Sequence, residues 1–120
     1  MFSAENIQDV FGLSGNKAMA QLGIWHQVPC LAIREGEALL NVIWHKGQSL
    51  DDPHKEVILS YSVGKEDLPS RDRHRLSPGY SLIIKGVQES DSGSYLCQVV
   101  PWHTVDRVGR IDLQVIGETW

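Results

Sequence analysis

Apolar and polar residues alternate along most of the chain. "KAMAQLG" sets Ala18, Ala20 and Leu22 on one side and stops at Gly23. "HQVPCLAI" carries Val28, Cys30 and Ala32 on one face, and "ALLNVIWHK" places Leu40, Val42 and Trp44 opposite Ile43 and His45 before breaking at Gly47. "KEVILSYSV" is apolar and β-branched up to Gly64, "YSLIIKGV" puts Leu82 and Ile84 together, and "SYLCQVV" and "RIDLQVI" align Tyr95, Cys97 and Val99, then Ile111, Leu113 and Val115. A period of two residues with β-branched enrichment and Gly, Pro, Asn or Asp at the boundaries predicts strands. No segment sustains apolar spacing at i, i+3, i+4 and i+7, so no long helix is expected. The one helical candidate is "VQESDSG", a short turn in which Ser90 or Asp91 caps backbone N–H groups. Seven or more short strands predict an antiparallel sandwich or barrel, with residues 51–55 and 64–72 as polar surface loops.

A length of 120 residues, with 42% apolar and 22% charged positions, predicts a single folded domain over residues 1–120. A net charge of −4 and a pI near 5.6 argue against a nucleic-acid partner, and Asp72 interrupts the basic run of Arg71, Arg73, His74 and Arg75, which reads as a solvated loop. No run of roughly 18 apolar residues exists, so no direct membrane insertion is expected, and "MFSAENIQDVFGLSG" has neither the basic nor the apolar region of a signal peptide. The expectation is a mature piece of a longer ectodomain.

The two cysteines, Cys30 and Cys97, lack C-x-x-C or metal-type spacing and read as a disulfide, the alternative being two buried thiols in a reducing compartment. His26, His45, His54, His74 and His103 are scattered without zinc-type spacing, and "GLSG" is not a nucleophile elbow. No catalytic, metal or cofactor site is expected.

"DSGSYLCQV", residues 91–99, places Asp91, Gly93, Tyr95 and Cys97 at alternating positions. In a two-sheet sandwich Tyr95 and Cys97 face inward together, and the buried tyrosine hydroxyl reaches backbone a few residues upstream, with Gly93 permitting the tight approach. Asp91 then lies at the corner, where Arg75 of "RLS" is the expected cation. Trp44 follows Cys30 by fourteen residues, the interval at which an indole packs against an inter-sheet disulfide in domains that this set of residues resembles, those of the immunoglobulin type.

This set of residues resembles the immunoglobulin superfamily over about residues 16–116. The resemblance implies an all-β, two-sheet antiparallel Greek-key sandwich of V-type, with C′ and C″ strands, a Cys30–Cys97 disulfide, and Trp44, Arg75, Leu82, Asp91, Gly93 and Tyr95 as its signature. More narrowly, "NKAMAQLG", "VPC", "LIIKGVQESDSGSYLCQV" and "GRIDLQVI" are similar to the first domain of the invertebrate neuronal adhesion proteins lachesin, Amalgam, Dpr and DIP. Three departures stand out. His26 occupies an inward strand-B position, Leu76 replaces the commoner phenylalanine, and the final strand lacks Phe-Gly-x-Gly.

With Trp44, Tyr95 and Cys97 inward, Ile43, His45, Leu96 and Gln98 face outward. Leu59, Tyr61, Val100 and Trp102 are expected to extend this apolar surface over strands C, C′, F and G. An apolar outer face on an antiparallel sheet predicts a contact with another protein, and the resemblance implies an immunoglobulin-superfamily partner, homophilic or heterophilic, outside the cell. The expected function is therefore a non-catalytic recognition module of a cell-surface or secreted protein. The alternatives are an immune-type domain that reads ligands with the F-G loop "VVPWHTVDRVG" and a structural spacer in a larger ectodomain.

Overall fold

The computed structural model describes residues 13–117; the amino-terminal stretch read above for a leader lies largely outside them. Among the described residues ten strands form two sheets: β1 (Leu13–Ser14), β2 (Lys17–Gln21), β3 (His26–Val28), β4 (Leu39–Lys46), β5 (Glu56–Ser62), β6 (Ser70–Arg71), β7 (His74–Leu76), β8 (Leu82–Ile84), β9 (Gly93–Pro101) and β10 (Arg107–Ile116). One sheet runs β1-β2-β10-β9-β4-β5 and the other β3-β8-β7-β6. All pairings are antiparallel except β2 with β10. β4, β5, β9 and β10 occupy the C, C′, F and G positions of the expected sandwich.

The alternation read from the sequence fills the space between the sheets. Val42 and Trp44 from β4, Tyr95, Cys97 and Val99 from β9, and Ile111 and Leu113 from β10 meet Val28, Leu76, Leu82 and Ile84 from the facing sheet. Cys30 and Cys97, 67 positions apart, are joined by a disulfide. A crosslink closing a loop of that length stabilises a domain by about 4 kcal/mol in the chain-entropy picture. Trp44 stands opposite Cys97 in the β4–β9 ladder and donates its indole N–H to the Tyr80 carbonyl at 3.0 Å, so the buried ring has a polar partner. Leu76 fills its position fully buried, and half-buried His26 pairs with Ile84 at the end of the inner face.

Two element boundaries differ from expectation. β3 ends at Val28 because Pro29 has no N–H for the ladder, so Cys30 reaches its partner from the following loop rather than from a strand. No C″ strand lies beyond β5 among the described residues; the two-residue β6 pairs with β7 in the opposite sheet.

The lower corner is built as a chain of hydrogen bonds. The short helical turn expected in residues 87–93 is the 3-10 turn Glu89–Asp91, and the Asp91 carboxylate accepts the Gln88 N–H at 2.7 Å. Tyr95 donates its hydroxyl to the Asp91 carbonyl at 2.6 Å. Burial raises the pKa of that phenol. Gly93 adopts φ +141°, a conformation that L side chains rarely adopt, and a Cβ there would also stand 3.2 Å from Lys46 Cε.

The cation at this corner is Arg73, not Arg75. Its two terminal nitrogens bind the two Asp91 oxygens at 2.9 and 2.8 Å, and it also donates to the Lys85 and Gly86 carbonyls. Arg75 sits within β7 beside Ile83, is exposed, and faces away from the core, whereas Arg73 lies two residues nearer the turn. Burial alone would raise the Asp91 pKa, but the Arg73 guanidinium and the Gln88 N–H together hold it below the usual carboxylate range.

At the opposite end, the segment after β3 folds under β10. Arg107 donates to the Ala32 carbonyl at 3.2 and 2.9 Å and forks onto both oxygens of the Glu37 carboxylate. Gly109 makes this approach possible, because a Cβ there would lie 2.9 Å from both Ala32 N and Leu31 Cβ.

Gly109→Ala is therefore expected to destabilise the oxidised domain by about 1–3 kcal/mol through overpacking against backbone, read as a lower urea midpoint. An unchanged midpoint would refute the close approach. Arg73→Met is expected to cost about 2 kcal/mol or more because it strips a buried carboxylate of its guanidinium, whereas Arg75→Met stays within about 0.5 kcal/mol. The lowered Asp91 pKa adds stability above the ordinary aspartate range and loses it as pH falls below about 4. Arg73→Met should flatten that acid limb in melts taken from pH 7 to pH 3, and an acid limb as steep as in the parent domain would contradict the pairing.

Candidate functional site

The outer face of the six-stranded sheet is the candidate contact surface. Its side chains follow from the inward set, since Trp44, Cys97 and Gly109 share a rung of the ladder and their neighbours point the other way. Ile43 and His45 stand out from β4, Leu96, Gln98 and Val100 from β9, and Val108, Arg110 and Asp112 from β10.

Two residues placed there by the sequence are elsewhere. Leu59 and Tyr61 belong to the buried core, because β5 is registered Trp44↔Leu59 and Val42↔Tyr61 and so shares the inward face of β4. Tyr61 is satisfied in that position by donating its hydroxyl to the Lys65 carbonyl at 2.8 Å. A bulge between Trp44 and His45 then resets the parity of β5, so that Val57, opposite His45, is the residue that faces outward; it is 49% exposed.

Leu96 does point outward, yet it is only 1% exposed. Side chains around it hydrogen-bond across β9. Arg110, paired with Leu96 on β10, extends to Gln48 beyond the end of β4, where its guanidinium donates to the Gln48 carbonyl at 3.2 Å and side-chain oxygen at 3.0 Å. A long cationic side chain on such a path is of the kind that covers apolar surface with its stem. Asp112 steadies the same guanidinium by accepting from Arg110 Nε at 2.9 Å and from the Ser94 hydroxyl at 2.7 Å, and these donors hold its pKa below the usual carboxylate range.

A second crossing runs through Gln98. Its amide nitrogen donates to Asp106 at 2.9 Å, so its oxygen faces His45 Nε2, also at 2.9 Å. A carbonyl oxygen can only accept, which assigns the proton of His45 to Nε2. His45 is 5% exposed and its Nδ1 is buried without a hydrogen-bond partner among the described residues. His45 Nε2 and both polar atoms of the Gln98 amide are therefore engaged within the chain, and His45 itself is buried, whereas the sequence suggested that both residues are presented to a partner.

Beside the exposed Ser60, which pairs with Ile43, the side chains that remain open include several apolar ones. Val57 and Val108 are exposed at the sides, Ile43 and Val100 are half-buried between them, and Trp102 and Val105 are 59% and 82% exposed on the loop joining β9 to β10. Trp102 is fixed at its base by its N–H, which donates to the Ala38 carbonyl at 3.2 Å. Sequence reasoning found Ile43, Val100 and Trp102. It missed Val108, although the alternation through Ile111 and Leu113 places it outward, and Val57, which only the bulge reveals.

With this geometry in hand, the comparisons with known proteins are consistent. The family model for the immunoglobulin V-set domain matches residues 18–116. A search of curated proteins gave no match. Among solved structures, murine CEACAM1b aligns with a TM-score of 0.67 at 16% identity, covering 82% of this chain and 49% of that one, so the chain spans about half the length of that protein. The extracellular domain of the voltage-gated sodium channel beta4 subunit, described as parallel homodimers that explain its role in cell-cell adhesion, aligns with a TM-score of 0.62 at 21% identity, covering 89% of this chain and 97% of that one. Tim-2 aligns with a TM-score of 0.65 at 16% identity, covering 86% and 93%. At these identities the likeness is one of fold. No helix among the described residues is long and apolar enough to cross a membrane. The cystine beneath Trp44, the tyrosine hydroxyl on the Asp91 carbonyl and the match to the family model over nearly the whole described chain establish that this chain belongs to the immunoglobulin V-set family.

Proposed function

We propose that this domain is a non-catalytic extracellular recognition module that binds another protein through the outer face of β5, β4, β9 and β10. The observation that carries the reading is the open apolar set of Ile43, Val57, Val100 and Val108 on a surface where an antiparallel sheet facing water would be polar. The partner is itself an immunoglobulin-superfamily domain, in a homophilic or heterophilic pair. The resemblance to the lachesin, Amalgam, Dpr and DIP proteins supports that choice, as does the adhesive homodimer named for the beta4 subunit.

The apolar residues supply the affinity. Arg110, Asp112, Gln98 and Asp106 already satisfy one another, so they shape the surface and discourage poorly matched partners more than they add binding energy. Leu59 and Tyr61 take no part, and Leu96 supports the face from beneath. A second reading, in which the β9–β10 loop centres the contact, is favoured by the exposure of Trp102 and Val105.

Sedimentation of the purified domain over a concentration series, alongside staining of cells with the tetramerised domain, tests the proposal. The double variant Ile43→Asp/Val108→Asp is expected to weaken whichever association is seen by about 30-fold or more while keeping the parent melting temperature. Trp102→Ala should weaken it less. Unchanged association in the double variant would overturn the sheet face, and a larger loss from Trp102→Ala would transfer the site to the loop.

A further inference from the structure

The outer face of the other sheet has a different chemistry. Ile83 stands at its centre on β8, flanked in register by Gln27 of β3 on one side and Arg75 of β7 on the other. Trp25 and Lys85 lie two residues further along the same face, and Trp25 is 62% exposed. Together these five side chains enclose a groove of about 340 Å³, at the small end of the range for ligand sites.

None of the five is acidic, in a chain whose net charge is −4. Asp91, the carboxylate of the lower corner, is taken by Arg73. Arg75 and Lys85, by contrast, have no ion pair or side-chain hydrogen bond among the described residues. Two uncommitted cations beside an exposed indole on an apolar floor form a surface complementary to an anion that also carries an apolar ring face.

We infer that this groove is a second ligand site, for an acidic saccharide unit bearing a carboxylate or sulfate. The C–H face of the sugar ring packs on Trp25 and Ile83, the anionic group meets Arg75 and Lys85, and the Gln27 amide takes a ring hydroxyl. An acidic peptide fits less well. The floor strand β8 is paired on both sides, so its backbone is closed to a second main chain, and the groove holds one ring rather than a run of side chains. The site lies on the sheet opposite the proposed protein contact and does not depend on it.

The test is a titration of the ¹⁵N-labelled full chain with a sulfated, uronic-acid-containing heparin disaccharide at fixed ionic strength. The readout is the Trp25 indole N–H resonance, assigned by its loss in Trp25→Phe. A saturable shift of that resonance is expected, weakened tenfold or more in Arg75→Gln/Lys85→Gln, whose exposed positions leave the melting temperature unchanged. The shift should persist in Ile43→Asp/Val108→Asp. The inference is overturned if the resonance does not shift saturably, if uncharged maltose shifts it equally, if the double Gln variant binds as well as the parent, or if a short glutamate-rich peptide saturates it at lower concentration.

Discussion

The orientation of β9 is the constraint on which the molecule depends. Tyr95, Cys97 and Val99 are turned inward by attachments at two levels: the cystine to Cys30, and the tyrosine hydroxyl on the Asp91 carbonyl. A strand has a period of two, so a slip of one residue would exchange every inward and outward side chain. Because β4 and β10 pair with β9 on either side, they inherit its parity, and the outer face from Ile43 across to Val108 is a consequence of that anchoring. Any protein that engages this surface meets positions fixed from the core side.

This dependence also explains what could be read from the residues in order. Cys30, Trp44, Asp91, Tyr95 and Cys97 announce themselves by type and spacing, and so does the alternation that puts Val42, Val99 and Ile111 in the core. The orientation of β5 does not. "KEVILSYS" has apolar residues at both parities, and the bulge between Trp44 and His45 that decides between them is a relation of two strands. Likewise the choice of Arg73 over Arg75 depends on how far the chain has advanced beyond β6 when it passes the corner, a distance that neighbouring arginines two positions apart do not encode. Leu96 faces outward by register yet is buried, which alternation alone does not reveal, just as it does not reveal that Arg110 of β10 reaches Gln48 beyond the end of β4.

The crossings over β9 have a physical consequence for recognition. A surface whose charged groups are already paired presents few unsatisfied donors, so a partner gains little from polar groups of its own at those points and loses if it buries them unmatched. Under the proposed sheet contact, discrimination falls to shape around Ile43, Val57 and Val108, together with the positions of Arg110, Asp112 and Asp106. The buried Nδ1 of His45 adds a local feature: the Asp106–Gln98–His45 chain engages Nε2 and leaves the other ring nitrogen without a hydrogen-bond partner among the described residues.

The two outer faces are therefore built on different logic. On the six-stranded sheet, ionic groups neutralise one another and leave apolar side chains open, a combination suited to a surface of similar character on another domain. On the four-stranded sheet, Arg75 and Lys85 remain uncommitted next to Trp25, so electrostatic attraction is available there. At the lower corner Asp91 neutralises Arg73, whereas Arg75 of β7 and Lys85, the residue after β8, have no ion pair among the described residues, so the net charge of the groove they line is theirs.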